Sequence, residues 1–148
     1  AGIVLVGDAF GFLDPLYSSG VLLALRSGEM AADAIVDGFR SGDLSAAQLG
    51  RWAPGFNQGV DRMRRLVCEY YGGFSFGGFV RKFPDLKGKV TDLLIGDLFT
   101  DRVDVVWGPM ESTYAAGAER PKAWDSGTPP EVAQTKANEL FLPEGPRP

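Results

Sequence analysis

Histidine is absent from the 148 residues, and cysteine occurs once, at Cys68. Without histidine, no Ser-His-Asp or Cys-His nucleophile system can be assembled from this chain. A zinc site of the Cys/His kind is excluded within one chain, and no metal site is expected. A single cysteine cannot form an intrachain disulfide, so nothing argues for an oxidising compartment. A basic excess is missing too: 15 Lys and Arg face 19 Asp and Glu, a formal charge of −4. Proteins that grip nucleic acid through its phosphates carry surplus cations, so that class of partner is not expected. The longest apolar run, Val21 to Leu25, stops at Arg26, well short of the ~18 residues of a membrane-spanning helix. Residues 1–6 lack the basic flank of a secretory leader. The expectation is a cytoplasmic chain with no transmembrane segment.

What is present is a composition that can bury a core: 45% hydrophobic and 23% charged residues, with 20 glycines. Ala1 to Val6 is a short apolar run rich in β-branched residues and closed by Gly7-Asp8. It reads as a fully buried strand of the kind found inside parallel sheets. The rest of the chain offers few strands to pair with it. That, and the absence of an initial Met, point to a longer protein whose sheet lies upstream.

Gly7 to Ser19 carries turn chemistry at Gly7-Asp8, Gly11 and Asp14-Pro15, and Ser18, Ser19 and Gly20 are candidate N-caps. A helix is expected from about Gly20 to Gly38, apolar on all sides at first and hence deeply buried there. Gly28 with Ala24, Ala31 and Ala32 gives it a small-residue face for close backbone approach. Ser45-x-x-Gln48 is a capping-box pattern opening a second helix, which Pro54-Gly55 breaks or kinks. From Val60, the positions Met63, Val67, Tyr70 and Tyr71 recur at helical spacing until Gly72-Gly73. Asp85 is placed to cap a helix carrying Leu86, Val90, Leu93, Leu94 and Leu98, and a further short helix holds Val103, Val106, Trp107 and Met110. Six of the ten prolines lie in 121–148, so 115–148 reads as an extended tail, wrapped on the domain or disordered.

The informative stretch is the junction from strand to helix. A strand end feeding a helix N-terminus leaves aligned, unpaired N–H groups, and with the helix dipole these favour negative charge. Gly20 allows a ligand close to the backbone. Asp8, at the carboxyl end of the strand, can accept hydrogen bonds from ligand hydroxyls, and ligands of open α/β sheets bind at that end. These residues point to a polyhydroxylated or anionic cofactor. The alternative is a capped, buried helix with Asp8 merely closing a turn.

Residues 6–21, Val-Gly-Asp-Ala-Phe-Gly-Phe-Leu-Asp-Pro-Leu-Tyr-Ser-Ser-Gly-Val, resemble the second FAD-binding motif of the para-hydroxybenzoate hydroxylase-like flavoproteins. Among these the likeness is strongest to the flavin-dependent halogenases and their halogenase-like relatives. The segments 74–80 and 92–97 are similar to the helical C-terminal region of the same group, so the resemblance covers roughly 1–112. It implies a mainly α fragment with a leading β-strand, the C-terminal part of an α/β, Rossmann-like FAD-binding oxidoreductase. Residues 1–40 would be the last strand and helix of the FAD-binding domain, and 41–114 a helical C-terminal region. The implied cofactor-binding set is Gly7, Asp8, Asp14, Pro15, Ser19, Gly20 and Val21. Asp8 would bind the ribityl hydroxyls and Pro15 would line the isoalloxazine face. The N–H groups of Gly20 and Val21 would point at the pyrimidine edge, and backbone at Ser19-Gly20 would hold a halide. The implied activity is a halogenase-like monooxygenase type, in which reduced flavin and oxygen act on a small aromatic or apolar substrate. Electrons would come from a separate flavin reductase or from NAD(P)H. The isolated chain is expected to be inactive, because the G-x-G-x-x-G motif and the catalytic lysine of the group are absent, so no catalytic residue is assigned. Tyr17 stands where tryptophan halogenases have Glu, which favours a phenol- or pyrrole-type branch or a non-halogenating relative. Two alternatives remain open: a reductase of the geranylgeranyl-reductase type, and a non-catalytic helical interaction module.

Other features read more plainly. Phe74, Phe76, Phe79 and Phe83 are expected in the core, with a substrate pocket as the alternative; Trp107 and Tyr114 read similarly. Arg62, Arg64 and Arg65 read as a solvated helix face, or as a patch meeting a carrier-protein phosphopantetheine or an acidic partner. Cys68 reads as a buried small hydrophobe. Asp92, Asp97, Asp101 and Asp104 are spaced for caps and surface rather than for a metal cage.

Overall fold

The computed structural model describes residues 2–113, and the 115–148 tail and Tyr114 lie outside the described residues. Six α-helices make the fold: α1 (Gly20–Ser41), α2 (Ala46–Gly50), α3 (Ala53–Tyr71), α4 (Phe76–Lys82), α5 (Lys87–Leu94) and α6 (Trp107–Glu111). Short 3-10 turns over Gly7–Ala9, Pro15–Tyr17, Pro84–Leu86 and Asp101–Val106 join them.

The expected leading strand is not formed among the described residues. Residues 2–6 make no ladder, and Val6 is extended at φ −138°, ψ 168°. Ile3 is 84% exposed, so this run is not buried as expected. A strand exists only beside a partner that takes its N–H and C=O groups, and the helices here present none.

Helix α1 runs three residues past the expected end, to a left-handed Gly42 (φ +74°) whose N–H closes on Gly38 C=O. Gly38 fits because its missing side chain leaves room for the Asp43 carbonyl, which would stand 2.7 Å from a Cβ there. Deep burial of the start of α1 does not hold. Leu23, Ala31 and Ala34 are buried, whereas Val21 is 73% and Leu25 70% exposed. One face of the helix packs on α2, α3 and the Gly7–Ala9 turn; among the described residues, Val21 and Leu25 on the other side stay exposed. Close backbone approach falls at Ala24, 3.4 Å from a Cβ built on Gly7, and not at Gly28, where a Cβ would meet nothing within 4 Å.

Ser45 caps α2 as expected, its Oγ accepting from Gln48 N–H at 3.3 Å. The reciprocal half of the capping box is absent. The Gln48 side chain instead donates to the Ala34 carbonyl at 2.9 Å, tying α2 to α1, while Asp43 accepts from Ser45 N–H. Pro54 lies in the first turn of α3 rather than inside a helix, where its missing N–H costs nothing. Gly72 ends α3 and Gly73 turns left-handed (φ +80°). Asp85 caps nothing by its side chain; a 3-10 turn feeds α5 instead. Leu98 lies past the end of α5 yet is fully buried.

The core joins Leu23, Phe56, Met63, Leu66, Leu93, Val103 and Met110. Phe10 plugs it from the N-terminal loop, its ring 5.0 Å from Trp52 and 5.4 Å from Phe56. Phe79 is buried, with Phe74 and Phe83 around it at 5.6 and 5.1 Å. Cys68 is half-buried rather than buried.

Candidate functional site at the start of helix α1

The 7–21 stretch folds as two 3-10 turns leading into α1, and three anchors fix it. The Gly7 N–H donates to Ser27 Oγ at 2.8 Å, and Ser27 donates onward to Ala24 C=O at 2.9 Å. Gly7 has a positive φ of +56°, a conformation glycine adopts without strain. Phe10 is the second anchor, in the core. The third is Tyr71, whose hydroxyl donates to the Asp14 carboxylate at 3.2–3.3 Å across 57 residues. Asp14 also caps the Pro15–Tyr17 turn by accepting Leu16 N–H at 2.8 Å.

Between these anchors the residues singled out in the sequence are presented outward. Asp8 and Pro15 are exposed and Gly20 is half-buried. The first bond of the helix runs from Leu23 N–H to Ser19 C=O at 3.0 Å, so the Gly20 and Val21 amides precede the ladder and are left for an outside acceptor. Ser19 occupies the N-cap position but does not cap: its backbone is helical and its side chain makes no capping bond. Its Oγ is buried with no hydrogen-bond partner. A buried hydroxyl without a partner costs about 1–3 kcal/mol, so the arrangement is one that a bound group would relieve. Ser18 carries the bend into the helix at φ +53°. Two open amides, an orphaned hydroxyl, an exposed carboxylate and open space at Gly20 suit a ligand with hydroxyls at one end and negative charge at the other.

Tyr17, Tyr70 and Tyr71 gather beside this loop. Tyr70 lies edge-on to Tyr17 (centroids 6.3 Å apart) and to Tyr71 (5.7 Å). Burial and the two neighbouring phenols push Tyr17 above the ordinary tyrosine range. Burial, the Asp14 charge and the Asp14 hydrogen bond do the same to Tyr71. Ser27, Tyr70 and Tyr71 lie outside the motif by which the sequence marks the site.

The arginines of α3 do not form a free basic patch. Arg62 is clamped by Asp104, by Asp101 at 2.8 Å and by the Leu98 carbonyl at 2.8 Å. Arg64 pairs with Asp61. Arg65 pairs with Glu111 at 2.7 Å and lies 4.4 Å over the Trp107 ring. Asp101 and Asp104 are thus spent on Arg62, Asp97 accepts from Thr100 and Arg102, and Asp92 from Lys89. Among the described residues, no helix is long and apolar enough to cross a membrane.

The likeness to halogenase-like FAD-dependent oxidoreductases is upheld by comparison with known proteins. The chain is 29% identical over 120 residues to a 1H-pyrrole-2-carbonyl-[peptidyl-carrier protein] chlorinase of Pseudomonas fluorescens, covering 80% of this chain and 26% of the relative. It is 34% identical over 100 residues to the corresponding brominase of Pseudoalteromonas luteoviolacea, covering 66% of this chain and 24% of the relative. A digeranylgeranylglycerophospholipid reductase of Methanocella arvoryzae is 43% identical over 51 residues, 34% of this chain and 13% of the relative. The chain therefore spans about a quarter of the two halogenases. No protein-family model and no solved structure matches it.

Proposed function

We propose that this chain supplies the C-terminal portion of an FAD-dependent oxidoreductase of the halogenase-like type, acting on a small organic substrate. The orphaned Ser19 hydroxyl beside the open Gly20 and Val21 amides carries the reading: a helix start left unsatisfied at a buried position is built to be completed by something else. In the bound state Asp8 would accept from ribityl hydroxyls and Pro15 would lie against the ring. The Gly20 and Val21 amides would hold the edge that becomes negative on reduction. Flavin would supply the electrons that activate oxygen. This chain's residues bind and orient it, and the helices after Ser45 would cover the substrate side. Electrons would reach it from NAD(P)H or a separate flavin reductase. Ile3, Leu5, Val21 and Leu25, exposed here, would pack against the sheet that residues 1–40 join.

FAD titration of the protein that carries this segment, followed by flavin fluorescence, tests the reading. Saturable binding is expected, weakened at least tenfold in Asp8→Ala. A full-length protein indifferent to FAD would overturn it and leave a helical interaction module. The reductase relative keeps a second activity in view. Oxygen consumption by the reduced holoprotein supports the halogenase-like type, whereas electron transfer to an isoprenoid double bond without oxygen supports the reductase.

A further inference from the structure

Gly96 and Leu22 lie far apart in the chain and interlock. Helix α5 ends in a tight bend over 95–98. There Ile95 N–H donates to Thr91 C=O at 2.9 Å, Asp97 N–H to Asp92 C=O at 2.9 Å and Leu98 N–H to Gly96 C=O at 2.8 Å. Gly96 is left-handed (φ +102°), and a Cβ built on it would overlap the Leu22 side chain. The bend thus offers a notch that glycine alone leaves open, and Leu22 from the first turn of α1 fills it. The far side of the bend is held fast. Leu98 is fully buried, and its carbonyl accepts from Arg62 at 2.8 Å. Arg62 is in turn clamped by Asp101 and Asp104. Leu22 remains 37% exposed, so burial is a weak reason for so close a fit. What the contact fixes is the place of the first turn of α1. Leu22 follows directly on Gly20 and Val21, whose amides precede the helix ladder.

We propose that the Gly96 notch aims the open amides of Gly20 and Val21: by seating Leu22, the 95–98 bend sets where those two N–H groups point. Gly96 and Leu22 are positioning residues and touch no ligand themselves, and Arg62 acts one step further back through Leu98. Groups that stabilise charge work only when held within about 0.5 Å of the productive geometry. A helix start lacks part of its own ladder, so its aim needs support from outside the helix. That the charge belongs to a flavin rests on the reading above, whereas the seating of α1 does not.

Two settings test the notch. In the full chain without flavin, amide signals are followed by NMR in Gly96→Ala, in Leu22→Ala and in Gly88→Ala, whose site is open. The first two should shift the Gly20 and Val21 signals and speed hydrogen exchange at Leu23, the first amide of the ladder, and Gly88→Ala should do neither. In the flavin-bound full-length protein the midpoint potential is read. Misaimed amides should cost about tenfold in the preference for reduced over oxidised flavin, a fall of about 30 mV for a two-electron couple. Leu22→Met, which refills the notch, should keep the parent potential. Where Gly96→Ala fails to fold, Leu22→Ala, a change that favours helix at a partly exposed site, carries both readouts. Gly20 and Val21 signals indifferent to the variants, equal shifts in Gly88→Ala, or an unmoved potential with flavin still bound would each overturn the proposal. Amides that respond in the chain while the full-length protein ignores FAD would keep the notch and sink the flavin reading.

Discussion

The hydroxyl of Ser27 stands between the Gly7 amide and the Ala24 carbonyl, at 2.8 and 2.9 Å, and so fastens the first turn of the chain to the second turn of α1. Ser27 is fully buried. Ser27→Ala leaves the Gly7 N–H without its acceptor, a loss of about 1–3 kcal/mol. Urea denaturation should show that loss, and hydrogen exchange should show faster turnover at Gly7 with little change at the α3 core. Unchanged exchange at Gly7 would mean that the latch carries no weight.

Gly59 and Phe99 are paired by space. A Cβ on Gly59 would overlap the Phe99 ring, which stacks on Phe56 at 5.9 Å. Alanine would favour the helix by up to about 1 kcal/mol, but displacing a packed ring costs about 1–3 kcal/mol. Gly59→Ala should therefore lower Tm, with near-ultraviolet circular dichroism reporting the moved aromatic.

Acid should weaken the hold of Arg62. The hydrogen bond from Arg62, with a smaller one from the Trp107 indole and against the opposing effect of burial, holds the Asp104 carboxyl below the usual carboxylate range. A depressed folded value stabilises the fold above the unfolded value of about 3.9, and that contribution is lost as pH falls through the folded value. Arg62→Met should cost stability at pH 7. The gap between variant and parent urea midpoints should narrow as pH falls below the ordinary carboxylate range and through the lowered folded value of Asp104. A gap that stays constant would show that packing, not charge, dominates.

Leu25 is apolar and 70% exposed. Leu25→Lys should change the stability of this chain by no more than about 0.5 kcal/mol. In a longer protein that binds flavin through this segment, as proposed, the same change should release the flavin or cause aggregation, read by gel filtration with flavin fluorescence as the trace. A neutral outcome in both settings would mean that this face is simply solvent-exposed.

Local features were legible and distant ones were not. Ser45, Gly72 and Gly73 act on neighbours two to four residues away, so their capping and stopping roles are carried by the adjacent sequence. Ser75 caps α4 through the Gly78 amide at 3.1 Å, a helix start that the adjoining Gly77-Gly78 masks because glycine disfavours helix interiors. Burial at the start of α1 is not legible, because an all-apolar turn tells what could be covered, not what is. The Tyr71–Asp14 bond joins residues 57 positions apart, and no spacing rule announces such a meeting. At the candidate site, the motif marked Asp8, Ser19 and Gly20, while Ser27 and the tyrosine group emerged only from the fold.

The snug fit of Gly7 against Ala24 has a consequence for how such sequences vary. A side chain at 7 would strain the left-handed backbone there (φ +56°) and set its Cβ 3.4 Å from the Ala24 methyl, so added bulk beyond that at either position would crowd the other. The two sites should drift together or stay small, so a library randomised at positions 7 and 24 ought to return only pairs of minimal volume.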